Sequence, residues 1–154
     1  MTDVNDALPA VNVLDSEGTS VDLAGLHAPF VLFFYPKADT PGCTNEAKDF
    51  TMLAKDFAQI GCTVYGISKD KPAKLAKFAA KYDLGVTLLS DEASDATEQM
   101  GVWVEKSLYG RNYMGIERAT FLVGEDGKVK QVWRKVKVKG HAVNVLASAQ
   151  NVEL

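Results

Sequence analysis

An α/β architecture, with a central mixed β-sheet flanked by helices on both faces and a hairpin at its N-terminal end, follows from three features of the chain. Phe30-Val31-Leu32-Phe33-Phe34-Tyr35 is apolar without alternation, as in a strand buried on both faces. Segments of helical period alternate with runs of this kind, which implies right-handed βαβ crossovers. Turn-rich signals toward both ends of the chain predict hairpins, and these make the sheet mixed rather than parallel.

Val11–Leu14 and Thr19–Leu23 flank Asp15-Ser16-Glu17-Gly18, whose residues favour a tight turn, and predict the opening hairpin. Phe30–Tyr35 is the central strand. Between Cys43 and Ile60, apolar residues fall at Ala47, Phe50, Leu53, Ala54 and Phe57, the spacing of one helical face, and Gly61 supplies a stop. Thr63–Ile67 reads as a second buried strand. A helix starting near Asp70 and Pro72 places Leu75, Phe78, Ala79 and Tyr82 on one face. Val86–Leu89 predicts a third strand and Ala93–Met100 a short helix. Thr120–Val123 and Lys128–Arg134, joined through Glu125-Asp126-Gly127, predict a second hairpin, and Gly140–Ala149 a closing helix. No internal repeat, low-complexity stretch or Pro/Gly/Ser linker interrupts this order, so residues 1–154 are expected to form one domain.

The composition, 47% hydrophobic and 24% charged, is that of an ordinary globular chain. A net charge of -3 argues against a nucleic-acid partner. The lysines within Lys128–Lys139 alternate with Val129, Val132, Val136 and Val138, which predicts the solvated face of a strand. No apolar run reaches the roughly 18 to 20 residues of a membrane span. Met1–Pro9 carries Asp3 and Asp6 and no basic segment before an apolar stretch, so no signal peptide and a cytoplasmic location are expected. Two cysteines, with only His27 and His141 widely scattered beside them, make neither a disulfide framework nor a zinc site, and no metal or other cofactor is expected. In a reducing compartment such cysteines are buried filler or working thiols.

The chemistry concentrates in Tyr35-Pro36-Lys37-Ala38-Asp39-Thr40-Pro41-Gly42-Cys43-Thr44, where the central strand ends and the first long helix begins. In open α/β sheets ligands gather at that carboxyl edge. A cysteine in a first helical turn meets unpaired backbone N–H groups and the positive end of the helix dipole, both of which favour thiolate over thiol. The polar, loop-rich surroundings of Cys43 argue for a working thiol over a buried helix-start residue.

Pro36, Thr40 and Cys43 match the peroxiredoxin pattern Pro-x-x-x-Thr-x-x-Cys, and the whole string resembles the peroxiredoxin Q subfamily, the bacterioferritin comigratory proteins. The resemblance extends through Val64-Tyr65-Gly66-Ile67-Ser68, Leu88-Leu89-Ser90-Asp91, and the stretch from Tyr109-Gly110-Arg111 to Thr120-Phe121-Leu122, and so covers most of the chain. It implies a thioredoxin-like fold and a thiol-dependent peroxidase of hydrogen peroxide and organic hydroperoxides, serving antioxidant defence. It gives Cys43 the role of peroxidatic nucleophile, oxidised to a sulfenic acid. Arg118 matches the family's cation, Thr40 orients the peroxide, Pro36 walls the pocket, and the N–H groups of Gly42 and Cys43 complete the donors. Plainer roles exist for the same residues: Thr40 as a helix N-cap, Arg118 as a salt-bridge partner of Glu117 or Glu125, and Trp103 and Trp133 as packing. Arg111 is the weaker rival for the cationic role, and His27 and His141 receive none.

The chain departs from its relatives in how an oxidised Cys43 is reset. Many peroxiredoxin Q proteins carry a resolving cysteine five residues on, where this chain has Lys48; others carry it on the next helix, yet Asp70–Tyr82 contains none. The remaining thiol, Cys62, follows a helix expected to run roughly 26 Å from Cys43 at 1.5 Å per residue. Disulfide formation needs Cα atoms within about 7 Å. Cys62 is therefore read as a buried strand cysteine, and a one-cysteine cycle is expected. Its reductant would be glutathione or another small thiol, a thioredoxin, or a glutaredoxin-like protein. An intermolecular Cys43–Cys62 disulfide is the rival within the same reaction. A thiol–disulfide oxidoreductase fits poorly, because Cys-x-x-Cys would require a thiol at Glu46. A non-peroxidatic binding module or holdase on the same scaffold is the further alternative. With no exposed apolar stripe evident, a monomer or weak dimer is expected.

Overall fold

The computed structural model describes residues 1–154. Its elements are β1 (Asn12–Asp15), β2 (Ser20–Asp22), β3 (Phe30–Phe34), α1 (Pro41–Met52), α2 (Ala54–Gln59), β4 (Thr63–Ser68), α3 (Pro72–Tyr82) and β5 (Thr87–Ser90), then α4 (Ala96–Gln99), β6 (Trp103–Leu108), β7 (Arg111–Ile116), β8 (Ala119–Val123), β9 (Val129–Trp133) and α5 (His141–Asn151). Seven strands form one sheet in the order β2-β1-β5-β4-β3-β8-β9. β3, β4 and β5 are parallel, while the hairpins β1–β2 and β8–β9 close its two ends antiparallel, as the sequence predicts. This is the thioredoxin-like arrangement expected from the resemblance.

β3 lacks alternation because both of its faces are buried. Val31, Phe33 and Tyr35 enter one core cluster, and Phe30, Leu32 and Phe34 enter the other. The first cluster lies under α1, α2, α3 and α5, where Phe33 stacks on Phe50 with ring centroids 4.7 Å apart. Gly66 on β4 makes room for that stack: a Cβ there would stand 2.6 Å from Phe33 Cζ. The second cluster is covered by α4, the N-terminal residues Leu8 and Val11, and Trp103 and Ile116 of the β6–β7 ribbon, in place of long helices. No helix is long and apolar enough to cross a membrane.

Three expectations need correction. The helix expected from Cys43 to Ile60 is broken at Leu53, which leaves α-helical geometry with φ -99° and ψ 3°. Thr51 donates its hydroxyl to the Ala47 carbonyl one turn back, an interaction that bends helices, and the Leu53 amide turns to the Phe50 carbonyl at 3.1 Å. The second correction is β6–β7, a two-stranded ribbon where no element is expected. Its turn residues Tyr109 and Gly110 both have positive φ, as a two-residue hairpin requires, but Tyr-Gly lacks the Asn or Asp that normally announces such a turn. Finally, the strand expected through Arg134 ends at Trp133, and the Lys–Val alternation runs on outside it; Lys135, Lys137 and Lys139 are nonetheless exposed.

Candidate active site

Six residues separate β3 from α1, which starts at the carboxyl edge of the parallel strands with Pro41 at its first position. The loop between them is fastened to the neighbouring β4–α3 turn. Ala38 donates its amide to Asp70 Oδ2 at 2.7 Å, and Ser68 donates its hydroxyl to the same oxygen at 2.8 Å. On the outer side, Asp39 sits at φ 62° and accepts from Lys81 Nζ at 3.0 Å and from the Tyr82 hydroxyl at 2.7 Å. The loop is thus pinned at two adjacent residues, both against α3 or the turn that precedes it.

Cys43 occupies the third position of α1 and is 2% exposed. It packs in the first core cluster with Tyr35, Ala38, Ala47 and Phe50, so its surroundings are more apolar than a loop-rich sequence suggests. One cation breaks that apolar shell. Arg118, just before β8, donates Nη2 to the Cys43 sulfur at 3.5 Å and Nη1 to Glu46 Oε1 at 2.8 Å. Its partner is Glu46, not Glu117 or Glu125; Glu117 lies 4.0 Å from Arg134 instead. Gly42 is what lets the guanidinium cross the helix start, since a Cβ there would approach Nη2 to 3.2 Å. Gly42 and Cys43, in the first turn, have no carbonyl one turn back within α1 for their amides.

Thr40 holds the N-cap position but its side chain does not cap the helix; its hydroxyl donates to the Lys37 carbonyl at 2.7 Å. Pro36 lines a cleft of about 400 Å³ together with Lys37, Trp103, Lys106, Tyr113 and Met114. Arg111 is exposed on β7 and forms neither an ion pair nor a side-chain hydrogen bond. Cys62 is also buried, yet it immediately precedes β4, whose first residue Thr63 pairs with Phe30, whereas Cys43 follows the other end of β3. The two thiols therefore flank opposite ends of one strand pair. Burial pushes the Cys62 thiol up to about 12.

Several participants lie beyond the residues that the sequence singles out. Glu46 is 1% exposed, and burial pushes its carboxyl up to about 7 against the pull of Arg118. Burial draws Arg118 down, but Glu46 and Cys43 outweigh it and hold the guanidinium above its ordinary value. Behind the pair, His141 and the Thr120 hydroxyl bond at 2.7 Å, and burial, then the Arg118 charge, pull the imidazole down to about 4. Lys106, which lines the cleft beside Pro36, is lowered first by burial and then by the Arg118 charge. The signal for Glu46 was present: three residues after Cys43 is the same helix face. Nothing local marks His141 or Lys106.

A cysteine at a helix start, a guanidinium on its sulfur and a thioredoxin-like scaffold together define a thiol peroxidase. Residues 4–132 match the AhpC/TSA family, and the chain belongs to that family of peroxiredoxins. Peroxiredoxin Bcp of Bacillus subtilis is 37% identical over 151 residues, covering 97% of this chain and 96% of that protein. Peroxiredoxin Bcp of Escherichia coli is 44% identical over 137 residues, 88% of each chain. Among solved structures, the Xanthomonas campestris bacterioferritin comigratory protein superposes with a TM-score of 0.87 at 39% identity, over 97% of this chain and 98% of that one. Peroxidoxin BcpB of Mycobacterium tuberculosis gives 0.85 at 35% identity, with all of both chains covered. The chain is a thiol-dependent peroxidase.

Proposed function

We propose that Cys43 is the peroxidatic nucleophile and that it runs a one-cysteine cycle within one domain spanning residues 1–154. The observation that carries this reading is Arg118, whose guanidinium reaches the Cys43 sulfur on one edge and is held by Glu46 on the other. The thiolate attacks one peroxide oxygen, forming S–O as O–O breaks, and the second oxygen leaves as water or alcohol once protonated. The guanidinium steadies the thiolate and then the charge growing on the leaving oxygen. Because the Thr40 hydrogen is committed to Lys37, its oxygen is available to accept the peroxide hydrogen. The amides of Gly42 and Cys43 donate to the peroxide, and Pro36 walls it from water.

The substrates are hydrogen peroxide and organic hydroperoxides. Alkyl peroxide reduction is ascribed to the Xanthomonas campestris relative, and the cleft of about 400 Å³ beside Pro36, with Trp103 and Met114 on its wall, offers room for an alkyl group. The sulfenic acid is then reduced by an external thiol: a thioredoxin, a glutaredoxin-like protein or a small thiol. The position of Cys62 beyond the far end of β3, and its burial, support a cycle without an internal resolver. A cytoplasmic setting and a monomeric or weakly dimeric state accompany this reading.

Intact mass under non-reducing conditions, after one equivalent of hydrogen peroxide, tests it. The expected product gains one oxygen, a gain abolished by Cys43→Ser and kept in Cys62→Ser. Loss of two hydrogens, or a covalent dimer that needs Cys62, would sink the one-cysteine cycle and leave the peroxidase intact. No change at Cys43 in fully reduced protein would overturn the nucleophile assignment.

A further inference from the structure

Large exposed apolar side chains are few in this protein, and four of them, Leu108, Tyr109, Tyr113 and Met114, stand on the β6–β7 ribbon. Tyr109 at the turn is 96% exposed. The strand register pairs Lys106 with Tyr113 and Leu108 with Arg111, so two cations and two apolar side chains share one face. Neither Lys106 nor Arg111 takes part in an ion pair. A cavity of about 620 Å³ opens on this ribbon, lined by Leu108, Tyr109, Arg111, Asn112 and Tyr113. Tyr113 and Lys106 also line the cleft beside Pro36. The patch is therefore continuous with the cleft of Pro36, the residue proposed above to wall the peroxide at Cys43.

We infer that the β6–β7 ribbon is the docking surface for a protein reductant, a dithiol protein whose nucleophilic cysteine is ringed by apolar and acidic residues. This rests on the one-cysteine cycle proposed above. Without an internal resolver, the partner's own sulfur must reach Cys43, so the partner must seat beside it. The apolar side chains supply the contact area, and the unpaired Lys106 and Arg111 select a partner surface of opposite charge. In the seated complex the partner thiolate attacks the Cys43 sulfenic acid, forming S–S and expelling hydroxide, which leaves as water with a proton from the partner thiol. The partner's second thiol then attacks its own sulfur in that mixed disulfide. Cys43 thiolate is released, and the partner departs oxidised, carrying the two electrons' worth of oxidation that the peroxide brought.

Leu108 and Tyr109 lie at the exposed tip, away from the reacting atoms, so Leu108→Ser with Tyr109→Ser leaves the core untouched. Peroxide turnover would be followed with reduced thioredoxin, with reduced glutaredoxin, and with dithiothreitol as a small dithiol that needs no docking. The double variant is expected to lose about tenfold or more in kcat/KM for at least one of the two proteins. Its turnover with dithiothreitol, and its rate of Cys43 oxidation, should stay at the wild-type level. Arg111→Glu should lower the same protein-dependent rate and weaken its dependence on salt. An equal loss with dithiothreitol, no loss with either protein, or wild-type turnover with dithiothreitol but with neither protein would overturn the proposal. So would a ribbon whose substitution abolishes self-association, or binding to anionic phospholipid vesicles, while protein-dependent turnover persists. Failure of the wild type to oxidise Cys43 with peroxide would instead strike the underlying cycle.

Discussion

Glu46 lies one turn beyond Cys43 with one oxygen on Arg118 and the other, Oε2, without a partner. Between its ordinary value of 4.5 and about 7, the folded chain holds a proton that the unfolded chain releases. Stability from this group is therefore lost as pH rises through that window. His141 acts oppositely: between 6.5 and about 4 the unfolded chain binds a proton that the buried imidazole refuses, so stability is lost as pH falls. The two slopes oppose each other in the wild type. Glu46→Gln is expected to expose the His141 slope and lose stability steeply toward acid. His141→Gln should expose the Glu46 slope and lose stability toward neutrality. Urea midpoints measured from pH 4.5 to 7 check both, and parallel profiles for all three proteins would refute the assignment. Glu46 could have been found from its spacing alone, whereas His141 could not, because its partner Thr120 lies on β8, across the core from α5.

At the scale of elements, the turn between β4 and α3 governs the loop that carries Thr40 and leads into Cys43. Asp70 accepts the Ala38 amide and the Ser68 hydroxyl on one oxygen and meets Lys74 at 3.2 Å on the other, while its carbonyl accepts from Ser90 at 2.5 Å. Removing its carboxylate strands the Ala38 amide and loosens the Thr40–Cys43 segment. Asp70→Ala should cost about 1 to 3 kcal/mol of stability and slow Cys43 oxidation. Asp70→Asn keeps one acceptor and should be milder on both counts. Chemical denaturation and stopped-flow oxidation with hydrogen peroxide measure the pair. An alanine variant as stable as wild type, within about 0.5 kcal/mol, would count against the tether. Asp70 is visible in the sequence only as a residue near a helix start; its bond to Ala38 depends on β3 and β4 lying side by side.

Across the whole molecule, the parallel pairing of β3 with β4 sets the two cysteines apart. Both strands run the same way, so the chain must return through α1 and α2, and Cys62 enters at the edge opposite Cys43. A thiol raised to about 12 by burial is nearly all protonated at neutral pH, and the protonated form is not the nucleophile. Iodoacetamide at mild alkaline pH is expected to label native protein once, at Cys43, and to label Cys62 only in denaturant. Mass spectrometry of the digested protein reads the site. Rapid native labelling of Cys62 would show that the cavity it lines with His27 and Gly61 admits a reagent, and the one-cysteine cycle would lose a support.

The buried run Phe30–Phe34, the helical spacing of Ala47, Phe50 and Phe57, and the Glu125-Asp126-Gly127 turn are local patterns, and they sufficed for the mixed sheet, its end hairpins and the seat of Cys43 at a helix start. These features depend on residues close in the chain, where periodicity and turn chemistry act directly. The chain alone also carried Pro36, Thr40, Cys43 and Arg118, through one motif and a match spread along its length. The break at Leu53 and the Tyr109-Gly110 turn are local too, but Thr51 and Tyr-Gly announce them only weakly. The Glu46 grip on Arg118 and the His141–Thr120 pair came from packing, because each joins groups far apart in the chain that only the folded sheet brings within bonding distance.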